Sequence, residues 1–177
     1  MKVIKNFKII LRQGYIFRDL KKRGIEISKE QLFEKLNKIQ AHIKSATVYE
    51  TFNPDIFRKK INFGKPVVVS LFVVTVGNVV ETIEKDEIFT TAIKDALFVA
   101  KNFILKLIQK EAEEDHCGLT EIIEVEPSYI FENRKILAVM DFSKIGVKFE
   151  NGIALPENTK FFVVGQILKT NLKRQKK

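Results

Sequence analysis

The chain has 177 residues, of which 45% are hydrophobic and 30% charged, a composition typical of one soluble globular domain. Its single cysteine, Cys117, excludes an internal disulfide and is consistent with a reducing compartment. The formal net charge of +9 comes entirely from four basic residues in 1–13 and five in 169–177, so residues 14–168 are neutral and a uniformly basic, nucleic-acid-coating protein is excluded.

The two ends of the chain and its longest apolar run predict a cytoplasmic protein. The first eight residues are charged and contain no apolar segment, so no signal peptide is expected. The apolar run at 66–76 is too short to span a bilayer. Residues 169–177 predict a basic, flexible tail, because one leucine cannot offset the cost of ordering them. The tail is either solubilising or a contact for nucleic acid or an acidic partner, and the neutral middle of the chain counts against nucleic acid.

The first predicted elements lie in residues 3–44. Residues 3–11 alternate loosely and fit a strand or a short helix, and the Gln13-Gly14-Tyr15 stretch is expected to interrupt them. Ser28 and Gln31 have the spacing of a capping box, in which each side chain bonds the other residue's backbone N–H. Apolar residues at helical spacing after that point predict an amphipathic helix over 29–44.

The middle of the chain predicts two strands and a long helix. Residues 46–52 alternate as a strand does, and a turn follows at 53–55. Residues 67–76 are apolar on both faces, which predicts a strand in the centre of a sheet. A short helix is predicted at 79–87, and a long one at 89–113 with a single apolar face.

The last third predicts shorter elements. Gly118 is expected to stop the long helix, and a strand follows at 119–126. Pro127–Tyr129 reads as a turn, 132–142 as a helix and 146–152 as a strand and turn. Two more strands are expected, at 153–155 and 161–168. The chain is therefore predicted to be α+β: residues 1–168 form one domain, with a twisted antiparallel or mixed sheet packed against one long helix and shorter ones.

Four stretches, in order, resemble the activation (reactivation) domain of cobalamin-dependent methionine synthase, present here as a stand-alone protein. The stretch 10–15, Ile-Leu-Arg-Gln-Gly-Tyr, is similar to the opening of short stand-alone members. Residues 72–77 resemble a strand ending in Thr-x-Gly, and 92–96 resemble the start of the family's long helix. Residues 145–156, followed by the Val-Gly pair at 164–165, are similar to the family's ending. Together they cover residues 10 to about 168.

The resemblance implies a C-shaped α+β domain that binds S-adenosylmethionine in a shallow groove. Such a domain docks on the cobalamin domain when the cofactor has become cob(II)alamin. Flavodoxin or another reductant supplies an electron, and the methyl group restores methylcobalamin. The domain contributes no catalytic residue and acts by placing the methyl group near the cobalt. The chain lacks the cobalamin-binding D-x-H-x-x-G motif, so any cobalamin is expected on a partner, a methionine synthase or corrinoid methyltransferase without its own activation domain.

The ligand motif of that family, R-x-x-x-G-Y with a Pro before the Gly, aligns with residues 124–129. Pro127 and Tyr129 match, whereas Glu124 occupies the Arg position and Ser128 the Gly position. A carboxylate at 124 repels the ligand's carboxylate, although it can attract the ligand's sulfonium and amino groups, as Glu150 can. Binding of S-adenosylmethionine is therefore expected to be weak or lost. The alternative is a structural or scaffolding subunit that keeps the fold without the ligand.

His116 and Cys117 are candidates for metal ligands or for a nucleophile with its base. Two adjacent residues with only His42 elsewhere cannot complete a tetrahedral zinc shell. Adjacent side chains also rarely converge as nucleophile and base. The sequence therefore predicts no metal site and no catalytic residue.

Overall fold

A computed structural model describes residues 1–57, 61, 64–79 and 85–170 of the chain. The strands are β1 Lys2–Lys5, β2 Ala46–Phe52, β3 Val68–Thr75, β4 Cys117–Val125, β5 Lys148–Glu150, β6 Ile153–Leu155 and β7 Thr159–Leu168. The α-helices are α1 Gln13–Lys22, α2 Lys29–His42, α3 Glu87–Glu114, α4 Pro127–Glu132 and α5 Arg134–Leu137. Short 3-10 helices lie at Pro54–Ile56 and Phe142–Ile145.

The main sheet is antiparallel and has five strands in the order β1-β2-β3-β7-β4, while β5 and β6 form a separate hairpin. Strand β3 lies at the centre, as its two apolar faces predicted. The main sheet is entirely antiparallel and packs against helices, so the predicted α+β class is confirmed.

Each face of the sheet packs against its own core because successive side chains of a strand point to opposite faces. Phe72 and Val74 of β3 belong to the helix-side core, formed with α1, α2 and α3. Leu71 and Val73 belong to the hairpin-side core, formed with α4, α5 and the β5–β6 hairpin. The sheet is thus the middle layer of three.

Helix α2 begins where the sequence predicted. Ser28 accepts from the Gln31 N–H at 3.1 Å, and the Gln31 side chain accepts from the Ser28 N–H at 3.3 Å, so the capping box is confirmed. Helix α3 is capped by Asp86, which accepts from the Phe89 N–H at 2.8 Å. Its long apolar face packs on the sheet, as predicted for 89–113.

Two predicted breaks in the chain are wrong. The stretch at 13–15 does not interrupt the structure but begins α1, with Gly14 in the helix. Gly118 does not stop α3. The helix ends at Glu114, and His116 adopts the left-handed conformation with φ 56, so Gly118 is free to enter β4. A residue with a side chain takes the position that glycine usually holds.

The last third differs from the prediction in its short elements. The 127–129 segment is not a turn: Pro127 occupies the first turn of α4, where its missing N–H costs nothing. The helix predicted at 132–142 is wrong as one unit, because Asn133 separates α4 from α5 and a 3-10 helix follows. The turn predicted at 53–55 is a 3-10 helix capped by Asn53.

Two predictions lie partly outside the described residues. The short helix predicted at 79–87 falls mostly on 80–84, and the tail at 169–177 falls mostly on 171–177. At the last described residues, the Lys169 N–H donates to the His116 carbonyl at 3.2 Å.

Candidate functional site

Glu124 projects from β4, an edge strand of the main sheet. It lies opposite Phe162 of β7, and two residues before Phe162 the same strand presents Lys160. The Lys160 Nζ donates to the Glu124 carboxylate at 2.6 Å. Both side chains are about half exposed, at 50% and 48%. The acid at the motif's Arg position is therefore already paired with a cation of the protein.

A groove of about 200 Å³ lies beside this ion pair. We call it the acidic groove, since its charged lining is Glu124, Glu126, Glu157 and Lys160. Three carboxylates against one ammonium give the groove a net negative charge. A ligand's ammonium or sulfonium group is attracted there, and a ligand's carboxylate is repelled.

The remaining motif residues leave the groove one after another along α4. Pro127 lines the acidic groove. Ser128 is exposed and faces the β5–β6 turn, where a Cβ added to Gly152 would lie 3.8 Å from the Ser128 Cβ. That distance is an ordinary van der Waals contact, and the feature of Gly152 that favours glycine is its φ of +80.

Tyr129 points away from the acidic groove. Its ring centroid lies 6.4 Å from that of Phe57, and it lines a separate cavity of about 540 Å³ together with Asp55, Asn133 and Arg134. Burial raises the pKa of Tyr129, and the hydrogen bond with Asn133 opposes that shift in part. The hydroxyl therefore stays protonated at neutral pH.

Glu150 lies in β5, exposed and opposite Ile153 in the hairpin register. It lines neither cavity. Of the five predicted site residues, the structure brings Glu124 and Pro127 together and places Ser128 next to them. Tyr129 and Glu150 lie elsewhere, Tyr129 against the hairpin-side core and Glu150 in the β5–β6 hairpin.

Arg12 and Asp95 join two of the stretches that suggested the family. The Arg12 Nε and Nη2 donate to Asp95 Oδ1 at 2.8 and 2.5 Å, and the Arg12 backbone N–H donates to Oδ2 at 2.8 Å. The Asp95 side chain is fully buried, whereas that of Arg12 is 41% exposed. This pair fixes the start of α1 against α3.

Thr75 ties the Thr-x-Gly stretch to residues that lie between the two parts of the last stretch. Its hydroxyl accepts from the Thr159 hydroxyl at 3.1 Å and from the Gly77 N–H at 3.1 Å, and it donates to the Asn158 carbonyl at 3.3 Å. The Thr-x-Gly end of β3 is thereby tied to the start of β7. Gly77 has φ +78, a conformation that glycine adopts without strain.

Sequence reasoning missed Lys160, because nothing in the chain indicates which residue faces Glu124 across the sheet. The period of two in β7 places residues 160 and 162 on one face, but only the β4–β7 register brings Lys160 to Glu124.

His42 lies in α2, whereas the adjacent His116 and Cys117 lie at the start of β4. The His42 ring is within 2.8 Å of the Lys38 carbonyl, and Cys117 is buried in β4. Within the described ranges, no three His, Cys, Asp or Glu side chains cluster in a way that could hold a metal ion. Likewise, none of the helices in the described residues combines the length and the apolar character needed to cross a membrane.

Comparison with known proteins adds no relative. No protein-family model matches the chain, and no curated protein matches it with significant sequence similarity.

Proposed function

We propose that this protein is an accessory protein of cobalamin-dependent methyl transfer, acting in trans on a methionine synthase or corrinoid methyltransferase that lacks an activation domain. The supporting observation is that two of the four stretches behind the resemblance are bonded together, since Arg12 of the first stretch donates to Asp95 at the start of the long helix. Thr75, in the Thr-x-Gly stretch, is bonded to Thr159, which lies between the two parts of the last stretch.

The role is placement rather than chemistry. Cobalamin arrives on the partner, and flavodoxin or another reductant supplies the electron. Holding a partner's reacting groups in one geometry lowers the entropic part of a barrier without any catalytic side chain.

S-adenosylmethionine does not fit the acidic groove well. The groove's 200 Å³ is below the range of about 300–1,000 Å³ typical of small-molecule sites. Glu124 repels the ligand's carboxylate, and Lys160, the cation nearest to it, is bonded to Glu124. We therefore expect weak binding or none, and we derive no step through this ligand.

Calorimetry with S-adenosylmethionine tests this expectation. The double substitution Glu124→Arg with Ser128→Gly should raise affinity at least tenfold, because a charge-assisted bond of about 1.5–3 kcal/mol replaces a repulsion. Losing the half-exposed Glu124–Lys160 pair should cost the fold about 1 kcal/mol or less.

The matched control is Glu121→Arg. Glu121 lies on the same strand, is exposed and does not line the acidic groove. The control therefore makes the same change of charge as Glu124→Arg, but outside the family's ligand motif. Micromolar binding by the unmodified protein, or a double variant that binds no better than the control, would refute the role assigned to Glu124.

Docking is tested separately with purified corrinoid methyltransferases from the same cell. The protein should be retained on a corrinoid partner that carries cob(II)alamin. If none of these methyltransferases retains the protein, the proposed function is wrong.

The second candidate is a structural subunit that keeps the fold without a ligand. The observation in its favour is that Glu124 and Lys160 form an ion pair with each other within the acidic groove. Thermal denaturation distinguishes the two. A ligand at 100 times its dissociation constant stabilises a binder by about 2.7 kcal/mol, and a scaffold should show no such gain.

A further inference from the structure

A second cavity, of about 390 Å³, lies between α1 and α3 and is lined by other residues than the acidic groove. Its lining includes Arg12, Tyr15, Arg23, Lys94 and Phe98. We call it the α1–α3 cavity. Its volume falls within the range of about 300–1,000 Å³ typical of small-molecule sites.

Arg12 is held rigidly at this cavity. Asp95 is bonded to its Nε and Nη2, and the rings of Tyr15 and Phe98 have their centroids 4.5 and 4.4 Å from its Cζ. These cation–π contacts, together with two N–H groups donating to one carboxylate oxygen, leave the guanidinium little freedom.

One edge of the Arg12 guanidinium remains available. Within the described part of the chain, Nη1 donates to no acceptor, whereas Nε and Nη2 do. Because Asp95 is fully buried, the exposed portion of the guanidinium is the edge turned away from it. That edge presents N–H donors in a fixed plane, the arrangement that recognises an oxyanion.

Lys94 provides a second cation at the same cavity. It lies one residue before Asp95 on α3, is exposed, and forms no salt bridge among the described residues. The neighbouring cation Arg23 is different, because Asp19 at 3.1 Å and Glu87 at 2.5 Å already compensate its charge. Two donors, Arg12 and Lys94, are therefore left to bind an anion.

The charge balance favours a monoanion. Arg12, Arg23, Lys94 and the rim residue Lys101 stand against Asp19, Glu87 and Asp95, a net charge of +1. A singly charged carboxylate matches this charge, whereas a phosphate dianion exceeds it. The Lys101 Nζ lies at the rim, 5.1 Å from the Phe98 ring centroid.

The same cavity has an apolar wall. Tyr15 is 48% exposed and Phe98 43% exposed. A ligand ring can cover this surface while its carboxylate meets Arg12 and Lys94. We propose that the α1–α3 cavity is a binding site for a small aromatic monocarboxylate. This inference does not depend on the function proposed above.

Benzoate is the probe, and amide chemical shifts of the full-length protein are the measurement. Saturable shifts should appear in residues 12–15 and 91–98 and be absent from residues 124–129. Benzyl alcohol, which has the ring without the charge, should bind at least tenfold more weakly, since it lacks the charge-assisted bonds.

Lys94→Gln tests the site without risk to the fold, because Lys94 is exposed and has no salt bridge among the described residues. We expect about a tenfold loss of benzoate affinity. Lys106→Gln is the matched control: it is exposed on the same helix, about 18 Å further along at 1.5 Å per residue, and should bind as the unmodified protein does.

Arg12→Lys tests the planar guanidinium, since it keeps the charge and removes the fork. It should weaken benzoate binding more than Lys94→Gln does. If the Lys94→Gln variant binds benzoate as tightly as the unmodified protein does, the proposed site is wrong. It is also wrong if the Lys106→Gln variant loses as much benzoate affinity as Lys94→Gln. Equal binding of inorganic phosphate and benzoate would show general anion attraction and would also overturn the proposal.

Discussion

The two faces of the main sheet are covered by different kinds of structure. On one face lie three helices of 10, 14 and 28 residues, which start at capped or charge-paired positions. On the other lie α4 and α5, of six and four residues, a 3-10 helix, and a hairpin with three-residue strands. Long helices satisfy most of their backbone within themselves, whereas elements this short depend on tertiary contacts.

This difference separates the two cavities as well. The α1–α3 cavity has walls on helices joined by a buried ion pair, so its donors are held in place. The acidic groove lies between an edge strand and short elements, and its central ion pair is half exposed. A fixed site favours specific binding because less conformational freedom is lost when the ligand arrives.

The largest expected effect is on the helix side. Replacing Asp95 by Ala removes two side-chain bonds from Arg12 and leaves the Arg12 backbone N–H without its acceptor. We expect a loss of about 3 kcal/mol in the free energy of unfolding, seen in urea denaturation. For a chain of this size that is a fall of about 6–12 °C in Tm.

Asp19→Asn is the control for Asp95→Ala. Asp19 pairs with Arg23 but is 41% exposed, so its loss should cost about 0.5 kcal/mol or less. Equal effects of the two substitutions would mean that burial of Asp95 contributes nothing to the free energy of unfolding.

On the hairpin side, Ile136→Ala should cost about 2–3 kcal/mol in the free energy of unfolding. Ile136 is fully buried and is the buried residue of α5, so truncation leaves a void under a helix that cannot form alone. The neighbouring Leu137→Ala is the control: at 37% exposure it should cost less than about 1 kcal/mol.

Amide hydrogen exchange locates the effect of Ile136→Ala. Exchange should quicken in residues 127–155 and change little in α2 and α3, because the sheet separates the two cores. A uniform increase through the whole chain would contradict the independence of the two faces.

The smallest effect concerns the cap of α3. Burial alone would raise the pKa of Asp86, but the Lys35 ammonium and the Phe89 N–H outweigh it and hold that pKa below its usual value. Because the folded pKa is below the unfolded value of about 3.9, the resulting stability is complete above that pH. It is lost as the pH falls through the folded pKa.

Asp86→Ala should therefore cost about 1–2 kcal/mol at pH 7 by urea denaturation, and less near pH 3. Asp86→Asn keeps an acceptor for the cap and removes the charge, so it should cost less and abolish the Asp86 contribution to the pH dependence. If Ala and Asn substitutions behave alike, the cap hydrogen bond does not stabilise α3.

The sequence by itself determined the elements whose pattern is local and long. The capping box at Ser28, the apolar face of α3 and the two apolar faces of β3 were all readable, because each reports a periodicity within one segment. The α+β class followed from their order.

Short elements and exceptional backbone conformations could not be predicted from the sequence. Pro127 is as suited to the first turn of a helix as to a turn, and one window of six residues cannot decide between them. At the end of α3 the left-handed residue is His116 rather than Gly118. Packing of α3 on the sheet and the strand register of β4 set that position, and neither is a property of the local sequence.

Tertiary structure alone decided which charges meet. Arg12 and Asp95 are 83 residues apart, and Glu124 and Lys160 are 36 apart. The chain contains 31 basic and 22 acidic residues, so composition allows many pairings. Helix packing selects the first pair and strand register the second. Ion-pair formation depends on distances of a few ångströms, which only the folded chain defines.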